Sequence, residues 1–382
     1  MLALLLILQA ATGDIVVTGK RLAEAHAACV KGECTPLRDA QATIALAESR
    51  FREGAYRDAK RLLAAAVTRN RDKAGTDPKP VAALYEAYAT VALHDGDTQT
   101  YRSAVARQVR TLRDNLPASD PTVVSAATAL GDMWLKLGNY RQADLVYRSV
   151  EQDALATGQD QPAMLAGMKR VWLASTMQRT SAALSKLREL EARPLARQQG
   201  FGTALRVLRL RMRARDASDE EMQELAGLVG QGQGTDPILI WAPPYEQDAA
   251  AAASDARALA RRFGEEDPLR IRSSDVGAIQ WADIGFWIRP EGRTAEVEVL
   301  RSSPKNPWAT SLLKQISGRR YSSQQPSSSD QVQGVYKIQR FTLRSEYVVP
   351  SGSLISRRVL IGGYEILDLT AGAQAADAAA SY

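Results

Sequence analysis

From Asp39 to about Gln231, apolar residues recur every three or four positions and are broken by short polar turns. That period predicts a run of amphipathic helices. Beyond Pro237 the period changes to two. "DIGFWIR" (283–289) and "TAEVEVLR" (294–301) alternate apolar and polar residues around Pro290-Glu291-Gly292, which predicts two strands joined by a turn. "SSPKNPWATSLLKQIS" then returns to helical spacing. It carries start signals at Ser303 and Asn306-Pro307 and an apolar stripe through Trp308, Leu312, Leu313 and Ile316. "GVYKIQRFTLR" supplies one more alternating strand. "RRVLIGGYEILDL" predicts a two-strand hairpin turning at Gly362-Gly363, and the apolar-poor end "TAGAQAADAAASY" predicts disorder.

The start of the chain follows neither period. "MLALLLILQAAT" is apolar but far shorter than the ~20 residues that cross a bilayer. Followed by small residues, it reads as a secretory signal, although no Lys or Arg precedes it. Behind it stands a lone strand-like run, Ile15-Val16-Val17-Thr18, with no hairpin partner nearby. The chain therefore divides into a signal-like segment (1–13), an extended segment with a cysteine loop (14–38), helical repeats (39–231), an α+β domain (235–352), and a hairpin with a disordered tail (353–382). Gly-rich "GQGQGTDP" marks the main boundary.

Two helical units share a grammar. "ALAESRFREGAYRDAKRLLAAAV" and "ATALGDMWLKLGNYRQADLVYRSV" each end a helix at Gly-x-Tyr, Gly54 with Tyr56 and Gly138 with Tyr140. Three residues later comes an alanine, Ala59 or Ala143. Glycine reverses the chain, the aromatic wedges into the helix crossing, and alanine permits close approach. The second unit resembles a tetratricopeptide repeat through Leu130, Gly131, Trp134, Gly138, Tyr140, Ala143 and Tyr147. The turn glycines Gly54, Gly96 and Gly138 fall 42 residues apart, longer than the family's usual ~34. The resemblance implies an α-α solenoid, with a groove that takes a protein or peptide partner.

Composition adds little beyond this. With 45% hydrophobic and 24% charged residues the chain is an ordinary folded protein, and a net charge of +6 does not call for nucleic acid. Only two cysteines occur, in "CVKGEC". In an exported chain Cys29 and Cys34 are expected to close a small disulfide loop.

Catalytic chemistry finds no footing. No Gly-x-Ser-x-Gly elbow, phosphate loop or His-Glu-x-x-His helix is present, so no catalytic, cofactor-binding or metal-ligating residue is assigned and the chain is expected not to be an enzyme. His94 with Asp95 and Asp97 reads as turn chemistry between helices. Glu265, Glu266 and Asp267 read as a solvated charged turn. Arg206, Arg209, Arg211, Arg213 and Arg215 spread around a helix and read as a basic, solvated last repeat.

The C-terminal third resembles the C-terminal domain of the TonB energy transducers. The resemblance rests on Ile284–Ile288, Gly292, Val297 with Val299, Ser302-Ser303, Leu312–Ile316, Arg320-Tyr321 and, upstream, Pro243-Pro244-Tyr245. Ser322-Ser323 stand where the family has a proline. "DIVVTG" in turn resembles the TonB box, the segment by which outer-membrane receptors add a strand to such a domain. The resemblance implies that Ile15, Val16, Val17 and Thr18 dock on a sheet edge, in cis or from a second molecule. The expected function is a periplasmic interaction scaffold of a Gram-negative-type envelope, with an accessory role in TonB-dependent transport or a cell-envelope hydrolase or activator as alternatives.

Overall fold

The computed structural model describes residues 19–213, 237–243, 245, 278–304, 308–323, 334–349 and 354–370. The signal-like segment, Ile15–Thr18, Arg215, the charged turn at Glu265 and the tail from 371 lie outside these.

Among the described residues, ten α-helices come first: α1 (Gly19–Val30), α2 (Pro36–Arg52), α3 (Tyr56–Asn70), α4 (Pro78–Asp95), α5 (Thr98–Asn115), α6 (Pro121–Lys136), α7 (Tyr140–Ala156), α8 (Asp160–Thr176), α9 (Thr180–Glu191) and α10 (Gln199–Arg213). Each packs chiefly on the next, and α2 also touches α4 as α6 touches α8, which is the arrangement of a helical-repeat array. Local chemistry sets the starts. Proline occupies the first turn of α2, α4 and α6, while Thr35, Asp97, Asp120 and Asn139 accept a backbone N–H at the caps of α2, α5, α6 and α7.

The stops are equally local. Gly54, Gly96, Gly138 and Gly158 all have φ between 69° and 82°, and Gln178 takes the same conformation, φ 57°, in the turn after α8. A left-handed residue there lets the next N–H reach back to the helix's last free carbonyls, as Asp97 N does to Ala92 O at 2.9 Å. Side chains close the core between helices. Ala59, Ala143 and Leu63 are fully buried and Tyr147 is 1% exposed. A Cβ on Gly131 would stand 2.3 Å from the Tyr147 ring, so this glycine is what admits the tyrosine.

The first helix corrects the expectation of an extended segment over 14–38. Gly19–Val30 is helical because the apolar positions of "LAEAHAACV" give α1 a face to lay on α2. Cys29 and Cys34 are bonded across the turn between these two helices.

The C-terminal part holds β1 (Leu239–Trp241), β2 (Trp281–Ile288), β3 (Thr294–Ser302), α11 (Ala309–Ser317), β4 (Arg320–Tyr321), β5 (Val335–Val348) and β6 (Arg357–Asp368). Four strands form an antiparallel sheet in the order β3-β2-β5-β6, and β1 pairs with β4 in a separate ribbon. Alternation gives the sheet two different faces. Ile284, Phe286, Ile288 and Phe341 pack under Leu312 and Ile316 of α11. Asp283, Arg340 and Thr342 point the other way.

Gly362-Gly363 is not a hairpin turn, and 353 is not a domain boundary. Arg357–Asp368 is one strand paired along β5, from Val348↔Arg357 to Gln339↔Asp368. The pairing steps from Leu343↔Tyr364 to Ser345↔Leu360, so the glycines form a bulge inside β6, with Gly363 at φ 80°. Fourteen residues of β5 offer a template long enough to hold both halves of that segment.

Candidate protein-interaction surface

The polar face of the sheet lies against the helical array. Arg340, fully buried, carries the centre of this joint. Its Nε and Nη2 donate to Asp283 at 2.6 and 2.9 Å, and its Nη2 also donates to the Arg52 carbonyl at 2.8 Å. Nη1 donates to the Phe51 carbonyl, so one guanidinium caps the C-terminal end of α2. The same guanidinium stacks on Trp281, 4.0 Å from the ring centroid. Burial pulls the Arg340 pKa down, but the Asp283 carboxylate outweighs that and holds it above its ordinary value.

Neighbouring turns are held in kind. His94 Nδ1 lies 2.9 Å from Thr342 Oγ1, which the Tyr56 hydroxyl approaches at 3.3 Å. Asp95 is bound by Lys60 at 2.7 Å and by Arg358 of β6 at 2.6 Å. Glu365 pairs with Lys136 and, at 3.1 Å, with Arg344, whose Nη2 reaches the Lys136 carbonyl. Contacts with the backbone are close. A Cβ on Gly54 would stand 2.7 Å from Trp281 Nε1, and one on Gly96 2.5 Å from the Ser345 carbonyl.

These contacts revise the reading of "HDGD". Asp97 does the turn chemistry, accepting from Thr100 N at 2.9 Å. His94 and Asp95 end α4 and serve the joint, at 4% and 2% exposed. The expected wedge also needs correction. Tyr56 is buried under the sheet, whereas Tyr140, at the matching position, is 42% exposed because the crossing there is filled by Tyr147 instead.

Away from the joint, α8 presents an apolar stripe to solvent. Leu165 is 50% and Trp172 39% exposed. They are seven residues apart and so share one helix face. Lys169, between them, reaches Asp132 of α6 at 2.6 Å. Beside Trp172 is a hollow of about 120 Å³ walled by Thr176, Leu208, Met212 and Arg211. Arg211 Nε donates to the Leu239 carbonyl of β1 at 3.1 Å, and Arg209 pairs with Glu191. Two members of the arginine series thus make specific contacts, while Arg206 faces solvent.

Among the described residues, no group of three or more His, Cys, Asp or Glu side chains is placed to hold a metal ion, and no helix is long and apolar enough to cross a membrane. The joint was missed in the sequence because Arg340, Thr342 and Arg344 alternate as a solvated strand face does; the one available signal was that this face is matched by Asp283 on the paired strand.

The chain matches no family model and no curated relative. Solved structures with a similar course include the nearly identical TPR-like repeats of a Podosopora anserina protein described as a kinesin light chain (14% identity, 48% of this chain and 87% of that one, TM-score 0.41). Others are the Rap conjugation gene regulator of plasmid pLS20 in complex with the Phr* peptide (14%, 57% of each chain, 0.37) and BtubC from P. vanneervenii (16%, 65% and 91%, 0.36). The helical part of this chain is similar to these repeat arrays only in its course, and its own packing, each helix on the next, is that of a helical-repeat array.

Proposed function

We propose that this chain is a non-enzymatic protein–protein interaction scaffold whose helical array takes a partner segment on the α8 face. The observation that carries this reading is the solvent-facing pair Leu165 and Trp172 beside the hollow walled by Leu208 and Met212. Isolated exposed apolar residues are common, but two on one stripe next to an open hollow offer anchor sites for apolar side chains. Lys169 and Arg211 flank them, which favours a segment with acidic residues beside its apolar anchor.

A displayed peptide library screened on the full chain tests this. Enriched peptides are expected to pair apolar and acidic residues and to lose at least tenfold in affinity to the Trp172→Ala chain. Peptides that bind both chains equally would remove the α8 face from consideration.

A second binding mode is favoured by the sheet itself. β3 and β6 each pair on one side only among the described residues, so each offers an edge on which an extended segment can add. The TonB-like resemblance of this domain and the box-like Ile15–Thr18 support that use, as does the cysteine pair for placement in the periplasm. Amide protection along β3 or β6 that falls when Asp14–Arg21 is deleted supports self-docking; unchanged protection and oligomeric state dismiss it.

A further inference from the structure

We propose that the joint between sheet and helical array is an acid-released latch, with His94 as the group that takes up the proton. The proposal goes beyond the scaffold reading and does not depend on what α8 binds.

His94 sits at the middle of the joint. It is 4% exposed, its ring lies edge-on to Phe51 at 5.0 Å and stacked with Tyr56 at 6.4 Å, and Nδ1 faces Thr342. The charged groups that the elements around it bring are already matched. From α3 comes Lys60, bound to Asp95 and Asp97. From α6 comes Lys136, bound to Glu365 of β6. From β5 come Arg340, bound to Asp283 of β2, and Arg344, bound to Glu365. Arg358 of β6 takes Asp95, the residue next to His94. From α2 the nearest groups are the Phe51 ring and the carbonyls that Arg340 already holds.

Among the described residues, no carboxylate around the ring is left over to receive an imidazolium. Protonation would therefore set an unmatched cation, buried, beside Arg340 and Lys136. Burial, then the Lys136 and Arg340 charges, lower the His94 pKa to about 3 from the ordinary 6.5. With the sheet lifted, His94 meets water and regains its ordinary affinity for a proton. The sign follows: the closed joint is fully favoured above pH 6.5, and acid shifts it toward open down to about pH 3. The open-to-closed ratio rises about tenfold per pH unit in that window.

Native-state hydrogen exchange on the full chain, corrected for intrinsic rates, reads this ratio. Between pH 6.5 and 4.5 the opening constant of β5 amides is expected to rise about fiftyfold, while α8 and α9 amides change by less than threefold. In His94→Gln, which keeps a neutral hydrogen-bonding group, the β5 rise should vanish. A wild-type β5 constant that stays flat overturns the latch, and so does a rise shared by α8 and α9, which would be global unfolding. Should His94→Gln not fold, NMR titration of the two imidazoles in the wild type decides. A His94 ring that titrates near 6.5 with β5 still protected contradicts the proposal, and one that titrates only as β5 opens supports it.

Discussion

Gly96 and Gly138 have the same backbone conformation, φ 76°, and different surroundings. A Cβ on Gly138 would meet nothing within 4 Å, whereas one on Gly96 would press on the Ser345 carbonyl. Gly138→Ala should therefore cost only the left-handed strain, about 1 kcal/mol. Gly96→Ala should cost visibly more, because the sheet must lift as well. Urea unfolding of the two variants checks this, and equal losses would mean that the sheet does not rest on that turn. The need for glycine was legible in the sequence, since reversal after a helix is a local demand. The pressure from Ser345 was not, because nothing local marks a contact 249 residues away.

Between elements, the joint depends on burial more than on the number of charges. Asp283 has two arginine partners, the fully buried Arg340 and the half-exposed Arg301 at 2.7 Å. Arg340→Met strips the α2 carbonyls of their donor and leaves a buried carboxylate half-matched, at an expected cost of about 3–5 kcal/mol. Arg301→Ala removes a solvent-screened partner and should cost at most about 1 kcal/mol. Chemical denaturation monitored by circular dichroism separates the two, and similar losses would contradict the assignment of Arg340 as the centre of the joint. The strands, their turn at Gly292 and the α11 stripe were readable from periodicity alone. α1 and the unbroken β6 were not. A short alanine-rich run needs α2 to pack against before it is worth folding, and a glycine pair reads the same as a turn or a bulge until the partner strand's length is known.

The whole molecule should lose structure in two acid steps. His94 governs the first, which sets in as pH falls through about 6.5, and it concerns the sheet. The second belongs to carboxylates inside the array. Burial raises the pKa of Asp39, but Arg69, Asn70 and Thr43 outweigh it. The same contest at Glu151 is won by Lys186, Arg170 and Arg193, so both groups sit below their ordinary values. Groups with folded values below unfolded ones contribute stability above about pH 4 and lose it as pH falls further. Helical circular dichroism is thus expected to hold until below pH 4, after exchange at β5 has already risen; simultaneous loss would place both steps in one cooperative unit.

By itself the sequence determined the helical array, its turn residues, the strand–turn–strand–helix order of the last domain and the pairing distance of its two cysteines. Each of these is a demand of the local chain: a period, a cap, a φ above zero. Only the tertiary structure decided that the two halves are joined, that His94 and Asp95 leave turn chemistry for that joint, and that Leu165 and Trp172 of α8 are exposed away from it. Those outcomes depend on which polar face meets which helix ends, and burial and charge matching between distant segments are properties of the packed chain that no local pattern encodes.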